Sequence, residues 1–76
     1  MTIVQERRSR QTGTVVAIND RGTDDEEVRD GYNRWETICV DHGTVCSHET
    51  RAQAAWFAPV PLEWCEECMK IKEATQ

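Results

Sequence analysis

Trp35-Glu-Thr-Ile-Cys39-Val-Asp-His42-Gly43 and Trp64-Cys65-Glu-Glu-Cys68 carry the distinctive pattern of this chain of 76 residues. The first segment holds a C-x2-H pair and the second a C-x2-C pair, with 22 residues between His42 and Cys65 and a tryptophan shortly before each pair. Two ligands two residues apart reach one tetrahedral ion when the backbone turns tightly between them, and closed structural zinc sites take four such Cys and His ligands. Gly43 follows the first pair and can take the positive φ that such a turn often needs. Pro59-Val-Pro61 stiffens the approach to the second pair, so that a helix can begin at or near Cys65. Thiolates in a first helical turn face the positive end of the helix dipole, which favours their ionised form.

Other readings of these cysteines compete with a metal site. A single Cys is ordinarily a small buried apolar residue, but four of them with a nearby His in so short a chain fit that poorly. The even count also permits disulfides, although nothing else in the sequence suggests export. A redox C-x2-C would sit in a βαβ pattern, which is missing here. The six soft candidates are Cys39, His42, Cys46, His48, Cys65 and Cys68. Cys39, His42, Cys65 and Cys68 are the first choice for one structural Zn²⁺, with Cys46 and His48 as substitutes. Six groups cannot fill two tetrahedra, so one ion is expected.

Composition makes that ion important. A chain of this length buries only about 60% of its unfolded surface, and 30% of its residues are charged. Structural zinc supplies apparent free energy of about 10–16 kcal/mol, so the fold is expected to depend on it. The formal charge is −5 and becomes −6 once three thiol protons are exchanged for Zn²⁺. That balance disfavours sequence-independent nucleic-acid binding, which relies on Lys and Arg. No apolar stretch has the length of a signal peptide or a membrane span. Together with reduced-type cysteines, this implies a cytoplasmic protein without membrane partners.

Outward from the ligand pairs, residues 1–11 read as a flexible arm bearing Arg7, Arg8 and Arg10, and residues 12–76 as a single domain. The β-branched Gly13 to Ile18 segment predicts a strand. Asn19 to Gly31 predicts a long acidic loop of the kind that is either functional or mobile; it lacks the ligand spacing of a calcium loop. Tyr32 to Val40 predicts a second strand, with Trp35, Thr37 and Cys39 on one face and Trp35 near the metal. Thr44 to Ser47 returns as a third. Ser47 is the expected N-cap of a helix over 48–57 that buries Ala52, Ala55 and Trp56. A last helix over Cys65 to about Ala74 carries two ligands, with Glu66 and Lys70 as an i,i+4 pair and Met69 and Ile71 as packing contacts. The expected fold class is a small α+β zinc-stabilised domain with a three-stranded antiparallel sheet and two helices.

A hairpin turn joined through zinc to a helix start resembles the treble-clef and zinc-ribbon class. More narrowly, Trp35-x3-Cys39-x2-His42-Gly43, His48-x-Thr50-Arg51-x2-Ala54 and Pro61-x2-Trp64-Cys65-x2-Cys68 resemble a group of short proteins encoded by phages of actinobacteria, mostly uncharacterised. The resemblance covers roughly the C-terminal half and leaves Cys46 outside the pattern. It implies a phage accessory protein in the host bacterial cytoplasm and brings no assigned activity.

Three functions remain in competition. The first is a protein-interaction module that binds a host protein through Asp24, Asp25, Glu26 and Glu27 and the aromatics Trp56 and Phe57. The second is a nucleic-acid-binding regulator using Arg7, Arg8, Arg10, Lys70 and Lys72. The third, an enzyme, is disfavoured: catalytic zinc keeps an open position, four good ligands are available here, and no catalytic constellation is evident.

Overall fold

The structure, a computed structural model, describes residues 2–74, apart from the side chains of Lys72 and Ala74. Four strands form one antiparallel sheet in sequence order: β1 (Thr2–Arg8), β2 (Val15–Asp20), β3 (Trp35–Cys39) and β4 (Thr44–His48). The expected three-stranded sheet is therefore corrected to four, and the additional strand comes from the segment read as an arm. Residues of β1 alternate in the register Gln5↔Ile18, Arg7↔Val16, so a polar sequence pairs along the edge of the β-branched β2. A bulge between Ile3 and Gln5 breaks that register. The polar composition of β1 hid it: at a sheet edge, ladder hydrogen bonds and half-burial can hold a strand that has little apolar patterning.

The acidic connection also departs from a plain loop. Asn19 and Asp20 finish β2, and Glu26–Arg29 form one helical turn, α1. Asp25 caps this turn through hydrogen bonds from the Glu27 and Val28 N–H groups, 2.9 and 3.3 Å long. Its carboxylate also pairs with Arg21 at 3.2 Å.

The next helix, α2, spans Arg51–Phe57 and is capped by Thr50, whose hydroxyl accepts from the Gln53 N–H at 3.2 Å. The cap is not Ser47, because β4 runs on to His48. The His48 imidazole is buried, 3.0 Å from the Thr37 hydroxyl and stacked on Phe57, which draws the strand one residue further. This shift rotates the helix. Ala54 and Ala58 are buried, while Ala52, Ala55 and Trp56 face solvent, contrary to the expected face. A short 3-10 turn at Pro61–Glu63 leads to α3 (Glu66–Ala74). Met69 and Ile71 are 37% and 36% exposed rather than packed. Lys70 pairs with Glu67 at 3.1 Å instead of with Glu66.

Two small clusters make the interior. Val16, Ile18, Ala54 and Ala58 form one, with Val4, Trp35 and Trp64 against it. Cys39, Cys65 and Cys68 form the other, flanked by Leu62 and again Trp64. Trp64 thus joins the two, and its indole N–H donates to the Phe57 carbonyl at 2.8 Å. Trp35 does not shield the cysteines. It pairs across the strands with Asp20 and His48, at the opposite end of β3 from Cys39, with the Arg34 and Arg51 guanidinium groups 5.1 and 5.8 Å from its ring centroid.

Candidate metal centre

The β3–β4 hairpin turn is the first half of the site. Cys39 ends β3, and its carbonyl accepts from the N–H groups of His42 and Gly43 at 3.2 and 2.7 Å. This closure demands φ of +74° at Gly43. A Cβ built there would meet nothing within 4 Å, so the requirement is for backbone conformation and not for space. Asp41 fastens the turn to the sheet by accepting the Val15 N–H at 2.9 Å, beside the Val40 N–H to Val15 carbonyl bond of the same length.

The second half is the start of α3. Cys65 precedes the first helical residue and Cys68 lies within the first turn, so their sulfurs emerge at the end of the helix where backbone N–H groups are unpaired. The 3-10 turn places them there: the Cys65 N–H donates to the Pro61 carbonyl at 2.8 Å.

The ligand atoms of Cys39, His42, Cys65 and Cys68 all lie within 4.8 Å of one another. His42 Nδ1 is 3.2, 3.6 and 3.5 Å from the sulfurs of Cys39, Cys65 and Cys68, and the Cys39 and Cys68 sulfurs are 3.7 Å apart. With zinc-ligand bonds of about 2.3 Å to sulfur and about 2.05 Å to nitrogen, a regular tetrahedron has edges of about 3.8 Å (S to S) and about 3.6 Å (S to N). These four separations lie within a few tenths of an ångström of those edges, and the remaining sulfur pairs lie within 4.8 Å, so the four residues are in range to hold one metal ion. All four cysteines are free thiols, so no disulfide competes for these sulfurs. The three ligand cysteines are fully buried and His42 is half-buried.

Burial pushes the Cys39 thiol up to about 12, and the neighbouring Cys68 and Cys65 sulfurs add to that against the His42 N–H. Burial acts on Cys65 in the same direction, but the Thr44 hydroxyl, 3.3 Å from its sulfur, the Cys68 N–H and the adjacent side chains outweigh it and hold Cys65 at about 7. A buried sulfur that resists ionisation beside one that ionises near neutrality is what a bound cation would reconcile, since metal ligands must be deprotonated.

Cys46 and His48 stand apart from this group. Cys46 is half-buried on β4 opposite Thr37, and His48 is committed to Thr37 and Phe57. Burial lowers the His48 pKa, in keeping with a neutral ring packed in the interior. Three residues around the site were not singled out from sequence: Asp41, Thr44 and Thr14. The Thr14 hydroxyl lies 3.5 Å from the Cys68 sulfur across 54 positions of chain, a contact without any local signal. Asp41 and Thr44 sit within the ligand turn, where a carboxylate and a hydroxyl beside C-x2-H are the recognisable cue.

The residues proposed for a partner are spread over two elements. Asp24 pairs with Arg29 at 3.5 Å and Glu27 with Arg21 at 2.8 Å, Asp25 caps α1, and Glu26 projects into solvent. Trp56 is 64% exposed, edge-on to a half-buried Phe57 with ring centroids 4.8 Å apart. Lys70 is exposed on α3, and the side chain of Lys72 lies outside the described residues. No helix among the described residues is long and apolar enough to cross a membrane.

Comparison of the chain with protein-family models, with curated proteins and with solved structures gave no match in any of the three.

Proposed function

We propose that this is a small protein held together by one structural Zn²⁺, and that it acts by binding another protein. The observation that carries the metal reading is the convergence of the Cys39, His42, Cys65 and Cys68 ligand atoms within 4.8 Å of one another. Three thiolates and an imidazole are soft and borderline donors that suit zinc better than magnesium, calcium or manganese. Four protein ligands close the coordination sphere, as in structural sites, whereas catalytic zinc keeps one position for water or substrate. One ligand pair in a hairpin turn and the other at a helix start resembles the treble-clef and zinc-ribbon arrangement.

Partner binding is supported by the exposure of Trp56, a large aromatic held edge-on against Phe57 rather than in the core. Such a side chain offers contact area at low entropic cost, and interface anchors are enriched in tryptophan. In this reading the acidic segment around Glu26 supplies charge complementarity. The protein is a phage accessory protein, its partner a host protein and its setting the bacterial cytoplasm. Capture of host proteins on zinc-loaded wild type, Trp56→Ala and Asp24→Lys/Glu26→Lys tests this. A specific partner retained by wild type and lost with either variant is expected. Retention of nothing, or retention indifferent to both variants, contradicts it.

A further inference from the structure

A cavity of about 240 Å³ opens where β1 turns into β2, lined by Arg7, Arg8, Ser9, Arg10, Ala58 and Pro59. We propose that it binds a small phosphorylated ligand, independently of the protein-binding role. Among the described residues the ion pairs fall on Arg21, Arg29, Arg34 and Lys70, and none on Arg7, Arg8 or Arg10. In a chain of formal charge −5, three arginines therefore line one cavity without an ion pair to an acid among the described residues. Guanidinium groups present planar donor forks matched to phosphate oxygens. Ala58 and Pro59 offer an apolar wall for the remainder of the ligand. The volume is just below the range of about 300–1,000 Å³ usual for drug-sized ligands, which sets the size at a phosphate with a small substituent.

The turn that presents these arginines is fixed rather than loose. The Ser9 N–H donates to the Thr14 carbonyl at 2.7 Å, the Gly13 N–H to the Ser9 carbonyl at 2.9 Å, and Arg8 Nη1 to the Gly13 carbonyl at 2.6 Å. Ser9 is buried, and its hydroxyl accepts the Gln11 N–H at 3.1 Å. The same turn reaches the metal centre through Thr14 and Cys68, and the Gln11 side chain accepts from the Leu62 N–H at 3.5 Å. The backbone that carries the arginines, and the Arg8 side chain with it, is thus already ordered before a ligand arrives, which lowers the ordering cost of binding.

Titration of the zinc-loaded full chain with inorganic phosphate, and then with glycerol phosphate, followed by amide NMR shifts, tests the proposal. Saturable shifts grouped on residues 7–14 and 58–60 are expected. They should weaken about tenfold or more in Arg7→Ala/Arg10→Ala, given the usual strength of hydrogen bonds to charged groups. Arg29→Ala, which removes an arginine already paired with Asp24, should leave the affinity unchanged. Absence of saturable shifts, or equal affinity in the double variant, overturns the proposal. So does binding of a single-stranded oligonucleotide that neither small ligand displaces, which would assign the site to nucleic acid. Zinc content and circular dichroism of each variant separate a failure here from a failure of the metal reading. If the double variant loses zinc, Arg10→Ala, outside the strand, replaces it.

Discussion

At the residue scale, the four ligands and Gly43 determine whether the site can form. Cys65→Ser or Cys68→Ser leaves three strong ligands, and is expected to abolish stoichiometric zinc and most ordered structure, measured by metal analysis and circular dichroism. Cys46→Ser removes a sulfur outside the cluster and should leave one zinc per chain. Gly43→Ala forces a Cβ into the left-handed region at φ +74° and should destabilise the zinc-loaded protein by about 1–2 kcal/mol in denaturant unfolding. His48 gives a pH dependence of its own. Burial lowers its pKa below the ordinary 6.5, so the unfolded chain takes up a proton before the folded one. The contribution of a neutral His48 is complete above about pH 6.5 and is lost progressively as pH falls below that value. With zinc in excess, His48→Gln should show a shallower decline below pH 6.5 than wild type; parallel curves would count against a buried neutral imidazole.

At the element scale, Thr50 replaces Ser47 as the cap of α2, and Thr50→Ala should cost about 1 kcal/mol in chemical denaturation while Ser47→Ala costs little. This element also shows where sequence reading stops. The Cys39, His42, Cys65, Cys68 set could be picked out because metal coordination demands specific residue types at short spacings, and Gly43 confirmed the turn. The face of α2 could not be, because it depends on whether β4 stops at Ser47 or continues to His48. Stacking on Phe57 and the contact with Thr37 resolve that, and both are tertiary. The edge strand β1 was illegible for the complementary reason: its sequence is polar and its order comes from pairing with β2. The α1 turn lies within the acidic segment, where Asp25 followed by two glutamates was a capping signal that net acidity obscured. Trp35 lies away from the metal because it opens β3 while Cys39 closes it, leaving Trp64, adjacent to Cys65, as the aromatic that packs there.

At the scale of the whole molecule, the interior is small, and a fold held by an ion is the expectation that follows. The apolar cluster contains two alanines among its four buried members, and the second cluster is three cysteines. Buried area at about 25 cal/mol per Å² from such small side chains leaves little margin over chain entropy. Zinc would link the β3–β4 turn to α3, and through Thr14 and Asp41 to the start of β2, so its loss is expected to release both ends of the fold together. The arginine cavity shares that framework, and phosphate binding should weaken in parallel when zinc is withdrawn. Metal analysis by mass spectrometry on the untagged protein, with circular dichroism recorded before and after chelation, is the decisive measurement. One zinc per chain and a cooperative loss of secondary structure on chelation are the expected result. A metal-free chain whose spectrum is unchanged by chelator would contradict a metal-held fold and reduce Cys39, Cys65 and Cys68 to core packing.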